Sequence, residues 1–244
     1  MRLTAYLRRE VSGCIALFLP LACPWCGDLL PAVSKPQDLC RACLDGILPP
    51  GPASCPRCMQ PHATLSATSH LCQACLCKPP PFDRVHVVGR HAGTLKQAIH
   101  RFKYRDDPAL NACMAQLLLD RLETTLDGFR PDLVIPVPLH PRRLRKRGYN
   151  QALELARPVA KHFEVPLERN LLHRARDASA QQSLNARQRH SNLQGAFTLN
   201  GRVMASRILL IDDVMTTTAT ARACCAPLRA GGARAIQVAV LGRA

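Results

Sequence analysis

Eight of the thirteen cysteines fall into four C-x-x-C pairs: CPWC (Cys23, Cys26), CRAC (Cys40, Cys43), CPRC (Cys55, Cys58) and CQAC (Cys72, Cys75). The third and fourth pairs lie 32 positions downstream of the first and second, so the segment reads as a tandem repeat. Two residues between thiols aim both sulfurs at one point. Two such knuckles 13 residues apart have nearly the spacing by which four thiolates surround one tetrahedral zinc ion. The reading is two sites, Cys23/Cys26/Cys40/Cys43 and Cys55/Cys58/Cys72/Cys75. Spacing alone leaves open a crossed pairing, first knuckle with third and second with fourth. Disulfides of a secreted domain and a redox C-x-x-C are the alternatives. A redox pair is usually single and opens a helix after a strand, so four pairs fit structural metal better. His62 and His70 lie inside the second unit as substitute ligands, though the thiols already suffice. Cys14, Cys77, Cys113, Cys224 and Cys225 read as packing residues or free thiols.

A second chemical stretch is ILLIDDVMTTTAT, residues 208–220. Four aliphatic residues lead to Asp212 and Asp213, then to Thr216, Thr217, Thr218 and Thr220. Backbone N–H groups at a helix start, joined by hydroxyl donors, form an uncharged cradle for phosphate. Two carboxylates just upstream suit vicinal hydroxyls, or help hold Mg²⁺. Ribose 5-phosphate carries both functions. The rivals are an N-capped helix after a strand and the acidic strand of a nucleoside triphosphatase. The second requires G-x-x-x-x-G-K-[ST], which this chain lacks.

Basic side chains form a third element. In PLHPRRLRKRGYNQ, Arg142, Arg143, Arg145, Lys146 and Arg147 put five cations in six positions. Guanidinium forks suit a diphosphate, but a solvated basic loop or a nucleic-acid contact has the same composition. Gly148 supplies backbone freedom, and Asn150 can cap the helix that follows. Arg174, Arg176, Arg187 and Arg189 lie among small polar residues at 174–192. Lys103 in FKY is a further candidate contact, set against the bland reading of a surface lysine.

Strands and helices must carry these groups to one place. Apolar runs predict strands at 84–90, 132–138, 207–212 and 235–241, separated by helices at 93–104, 109–126, 150–163 and 217–230. Largely apolar strands alternating with helices indicate an α/β parallel sheet covered on both faces, whose ligands sit at the carboxyl ends of the strands. The Pro-rich CLCKPPPFDR marks a boundary, dividing residues 1–80, an N-terminal helix and double zinc-ribbon-like module, from the sheet domain of residues 81–244. Leu3, Leu7, Val11, Ile15 and Leu19 form one stripe of an amphipathic first helix. It is read against a signal sequence, because Pro20 breaks the apolar run. No stretch reaches the 18 apolar residues of a membrane span. Metal thiolates imply a reducing compartment, hence the cytoplasm. The net charge is +16, from 33 Lys+Arg and 17 Asp+Glu, which favours polyanionic partners without choosing among them.

These pieces, with IHRFKYRDDPAL (99–110), DLVIPVPLHPRRLRKRGYNQA (132–152) and QQSLNARQRHSNLQGAF (181–197), resemble the ComF/GntX family, associated with competence. Its sheet domain is similar to type I phosphoribosyltransferases. The resemblance implies that Thr216, Thr217, Thr218, Ala219 and Thr220 hold the 5-phosphate of phosphoribosyl pyrophosphate. It also implies that Asp212 and Asp213 fix the ribose, and that Arg142, Arg143, Arg145 and Arg147 form the pyrophosphate loop, with Lys103 as a further contact and Mg²⁺ accompanying the ligand. Residues 174–192 correspond to the closing hood, with Gln181, Leu184, Arg189 and Asn192 matching the family and Ala178 replacing its usual threonine. Thr218 stands where the family has glycine, so a positive φ there would cost stability and affinity. The activity implied is displacement at the anomeric carbon by an unspecified acceptor. The alternative implied is a non-catalytic, zinc-containing adaptor for single-stranded DNA within the competence machinery.

Overall fold

The computed structural model describes residues 20–31, 33–51, 53–62, 68–104, 107–175 and 195–244. The expected N-terminal helix and hood positions 176–194 lie outside them, as do Cys14, Gln181, Leu184, Arg187, Arg189 and Asn192. Helices α1 (Arg41–Asp45) and α2 (Gln73–Cys77) precede β1 (Arg84–Arg90), α3 (Gly93–Tyr104), α4 (Pro108–Thr125), β2 (Leu133–Pro136), α5 (Pro141–Arg147) and α6 (Gln151–His162). Then come β3 (Leu172–Arg174), β4 (Phe197–Leu199), β5 (Arg207–Met215), α7 (Ala219–Ala230) and β6 (Ala235–Arg243).

Four strands form a parallel sheet in the order β1-β6-β5-β2. Both faces are buried, which is why ILLI is continuously apolar rather than alternating. Ile208, Leu210, Ile236, Val238 and Val240 point into one core with α7, while Leu209, Ile211, Ala239 and Leu241 point into the other with α3, α4 and α6. Period-2 alternation of side chains produces that division. In α3 the stripe Leu95, Ala98, Ile99 and Phe102 covers the second face. Asp107 caps α4, accepting from the N–H of Ala109 at 3.0 Å and Leu110 at 3.2 Å, and Pro108 starts the helix at a position that needs no donor.

The two cysteine units do not sit together. Cys23 and Cys43, with Trp25, join the core of α3 and α4; Cys55, Cys58 and Cys75 join the opposite core beside Phe82, Met215 and Cys224. The repeat therefore plugs the sheet from both sides.

Three local expectations change. The basic segment expected as a loop is helical: His140 Nδ1 accepts from the Arg142 N–H at 3.3 Å, Pro141 opens α5, and Gly148 closes it at φ +83°. That left-handed C-cap is where the glycine's freedom is used. The strand expected at 207–212 runs on to Met215, because β6 also continues, pairing Val214 with Gly242 and Met215 with Arg243. A short antiparallel pair, β3 with β4, was not expected. Three-residue strands give too little alternation to read.

Candidate functional site

Asp212 and Asp213 lie in the second half of β5, three and two residues before its end. Both are half-buried. The Asp213 N–H donates to Asp212 Oδ1 at 2.9 Å, and Lys103 Nζ lies 3.2 Å from Asp213 Oδ2. Burial and the adjacent Asp213 push the Asp212 carboxyl up to about 7, against the pull of the Asp213 N–H, Lys103 and Arg174. His91, at the carboxyl end of β1, is held below its usual value by burial and by Lys103 and Lys96, with Asp213 opposing them. Its N–H donates to Arg243 O at 2.8 Å. Position at the carboxyl edge of a parallel strand is the one sequence signal that would have found it.

Beyond Met215 the chain turns through Thr216, Thr217 and Thr218 into α7, which starts at Ala219 rather than at 217. Among the described residues, the N–H groups of Thr216, Thr217 and Thr218 meet no protein acceptor. Thr217 Oγ1 accepts from the Ala219 N–H at 3.4 Å. Thr218 has φ −78°, so no left-handed conformation is required where the family has glycine. Its Oγ1 accepts from Arg222 Nε at 2.9 Å instead of facing outward. Thr220 lies in the first turn of α7.

The end of α3 is clamped by the α5–α6 junction. Tyr149 Oη donates to Phe102 O, Gln151 Nε2 donates to Lys103 O at 3.4 Å, and the Arg147 guanidinium lies 5.5 Å from the Tyr104 ring centroid. Asn150 caps α6, accepting from the Ala152 N–H at 3.1 Å. These contacts hold the backbone from which Lys103 reaches Asp213. Arg147 donates to Gln151 Oε1 at 2.9 Å, whereas Arg142 and Arg145 are exposed. No hydrogen bond or ion pair joins Arg142, Arg145 or Arg147 to the threonine turn. A cleft of about 520 Å³ opens between α5–α6 and β3, lined by Pro136, Asn150, His173 and Arg174 among others.

The cysteines group as consecutive units, which closes the crossed pairing: Cys23/Cys26/Cys40/Cys43 and Cys55/Cys58/Cys72/Cys75 each have all sulfurs within 4.8 Å of one another. Sulfur separations of 3.5 Å (Cys26–Cys40) and 3.7 Å (Cys58–Cys72) match the edge of about 3.8 Å of a tetrahedron with zinc–sulfur bonds of about 2.3 Å. Burial alone would raise the Cys23 thiol, but N–H groups of Cys40, Cys26 and Trp25 bring it down to about 7. Those of Cys72, Cys58 and Arg57 likewise outweigh burial and bring Cys55 to about 7. Two sets of four thiols with amides aimed at sulfur suit a thiolate-bound metal ion. His62 and His70 stack on each other, centroids 3.8 Å apart, outside the ligand group. Cys113, Cys224 and Cys225 are buried, and Cys77 is exposed.

No family model matches the chain. The DNA utilization protein YhgH of Escherichia coli K12 is 34% identical over 171 residues, covering 69% of this chain and 75% of that protein. Competence protein F of Haemophilus influenzae is 32% identical over 171 residues, 68% of this chain and 75% of its own. A purine phosphoribosyltransferase from Pyrococcus horikoshii overlaps 54% of this chain and 83% of its own at 14% identity and a TM-score of 0.35. No described helix is long and apolar enough to cross a membrane. With a third of aligned positions identical to relatives whose length it largely spans, and with its knuckles and carboxylate–threonine stretch in order, the chain belongs to the ComF/GntX family.

Proposed function

We propose that this protein binds phosphoribosyl pyrophosphate at the end of β5 and that its eight knuckle cysteines hold two structural zinc ions. The observation that carries the first part is the turn itself. Among the described residues, three N–H groups of the turn meet no protein acceptor, and they follow directly on two half-buried carboxylates of β5 with Lys103 beside them. Thr216, Thr217, Thr218, Ala219 and Thr220 hold the 5-phosphate through backbone N–H groups and hydroxyls. Asp212 and Asp213 accept from the ribose hydroxyls. Lys103 neutralises the acids and keeps them from repelling the anion. Mg²⁺, bound with the ligand, supplies charge neutralisation for the diphosphate. Displacement at the anomeric carbon, with an acceptor taking the phosphoribosyl group, is the chemistry such a pocket serves.

Calorimetric titration with phosphoribosyl pyrophosphate and Mg²⁺ tests this reading. Saturable binding at or below millimolar ligand, lost on Asp212→Asn plus Asp213→Asn, supports it; no heat at millimolar ligand overturns it.

A second reading is a single-strand DNA adaptor of the competence machinery in a reducing cytoplasm. It is favoured by the exposed face of α5, where Arg142, Arg145 and Lys146 stand free of the threonine turn, and by the names of the relatives. It predicts single-strand binding that falls steeply with salt, weakened by replacing Arg142, Arg143 and Arg145 and indifferent to the aspartate pair.

A further inference from the structure

Two arginines, Arg243 of β6 and Arg222 of α7, run between the second cysteine cluster and the threonine turn, each touching one knuckle. Arg243 is 4% exposed. Its Nε donates to Cys58 O at 3.2 Å and its Nη2 to Gln60 Oε1, both on the first knuckle of that cluster. Its Nη1 donates to Met215 O at 3.1 Å and to Thr216 O at 2.7 Å, at the start of the turn, and to Ala244 O. Arg222 repeats the arrangement from α7. Its Nη2 donates to Ala74 O at 3.3 Å, between Cys72 and Cys75, and its Nε to Thr218 Oγ1 at 2.9 Å.

We propose that the second cysteine cluster, acting through Arg243 and Arg222, sets the shape of the 216–218 turn, so that metal held by the cluster and anion held by the turn stabilise each other. The inference rests on reading the turn as the phosphate cradle, and it adds a control that the first cluster does not share. Neither knuckle holds its shape without metal. The first is a tight turn with Met59 at φ +55°, closed by the Met59 N–H to Cys55 O at 2.8 Å and the Cys55 N–H to Gln60 O at 2.9 Å. The second is one five-residue turn of helix, far below the length at which a helix sustains itself in water.

Once metal leaves, Cys58 O, Gln60 and Ala74 O drift, and a buried guanidinium that cannot deprotonate loses acceptors it must replace. No Asp or Glu side chain pairs with Arg243 among the described residues. The negative charge of a zinc tetrathiolate lies on the side of Cys58 and is the natural complement of that cation. Arg243 and Arg222 are therefore positioning residues: they hold carbonyls and a hydroxyl of the turn and leave its N–H groups without a protein acceptor among the described residues. The first cluster has a different tie, Arg101 Nη1 to Trp25 O at 2.5 Å on α3, and none to the turn among the described residues.

Hydrogen exchange of the full zinc-loaded chain tests the coupling without ligand. The reporting amides are Ala219, Arg222 and Ala244, which donate to Thr217 Oγ1, Thr218 O and Met215 O. In Arg222→Gln plus Arg243→Gln, with two zinc ions retained per chain, these amides are expected to exchange at least tenfold faster while Leu209 and Val238 in the sheet are unchanged. Cys58→Ser should reproduce the local effect and Cys26→Ser should not. Unaltered exchange in the double variant overturns the proposal, as does acceleration spread equally to Leu209 and Val238, or the same effect from Cys26→Ser. Linkage supplies a second arm. Phosphoribosyl pyrophosphate with Mg²⁺ should slow chelator capture of zinc from the second cluster at least fivefold in the parent and not in the double variant. Slowing that persists in the double variant refutes the relay. Absence of binding in the parent refutes the pocket and leaves the exchange arm to decide the coupling.

Discussion

Lys103 Nζ lies 3.2 Å from Asp213 Oδ2, with side chains only 22% and 14% exposed, which makes α3 and β5 a single electrostatic unit. A pair this far from solvent is worth more than a surface ion pair and less than a fully buried one. Lys103→Met is expected to lower stability by about 1–3 kcal/mol, because two adjacent acids then lack their cation. It should also weaken phosphoribosyl pyrophosphate binding at least tenfold. Asp213→Asn strands the lysine instead, and a double-mutant cycle of urea midpoints should show the two losses to be non-additive. Additive losses would contradict the pairing.

Thr218 offers a direct comparison with the family's glycine. Its φ of −78° is ordinary for any residue, so glycine brings no relief of strain, and Thr218 Oγ1 is already engaged by Arg222. Thr218→Gly is therefore expected to destabilise by about 1 kcal/mol through added freedom of the unfolded chain. It should leave ligand affinity no better than in the parent. A thermal scan and a titration decide it; a rise in both would show that threonine obstructs the turn.

Much of this architecture was legible because its signals are local. The cysteine spacing is a repeat countable in sequence, and ILLI, LVIP and AIQVAVL are long apolar runs that only a sheet covered on both faces accommodates. Asn150 was readable as a cap for the same reason. What sequence did not disclose depends on distant partners. Arg243 is one of 33 basic residues, and nothing near it in the chain shows that it will be buried beside Cys58 and Thr216. Spacing allows the crossed alternative for the cysteines, and only the fold, which places the two units on opposite faces of the sheet, excludes it. The basic run looked like a loop because cations without an apolar stripe leave no helical period; His140, Pro141 and Gly148 nonetheless bracket a helix there.

His86 gives the acid limb of stability. It is 2% exposed on β1, between Thr125 Oγ1 at 2.8 Å and the Gln237 side chain at 2.6 Å. Burial pulls it down to about 4, with Arg84 and Arg121 acting in the same direction and Gln237 opposing them. The folded value lies below the unfolded one, about 6.5, so the unfolded chain takes up the proton first. Stability is thus full above pH 6.5 and falls as pH drops toward 4, by about 3 kcal/mol across that window. Urea midpoints against pH should show this slope in the parent, and it should be shallower by one proton in His86→Gln. Parallel slopes would mean that His86 is not buried in its neutral form.

Metal content tests the cysteine reading most directly. With all sulfurs of each unit within 4.8 Å and the two units in separate cores, the sites should fill and empty independently. The parent is expected to contain two zinc ions per chain, and Cys26→Ser or Cys58→Ser about one each. Cys58 is 2% exposed in the core that also holds Met215, whereas Cys26 is exposed. Losing the second ion should therefore lower the melting temperature more than losing the first, since a thiol knuckle without its ion leaves buried sulfurs with only weak partners. Equal shifts from the two variants would argue that the clusters contribute alike, and a single zinc in the parent would reduce the repeat to one working site.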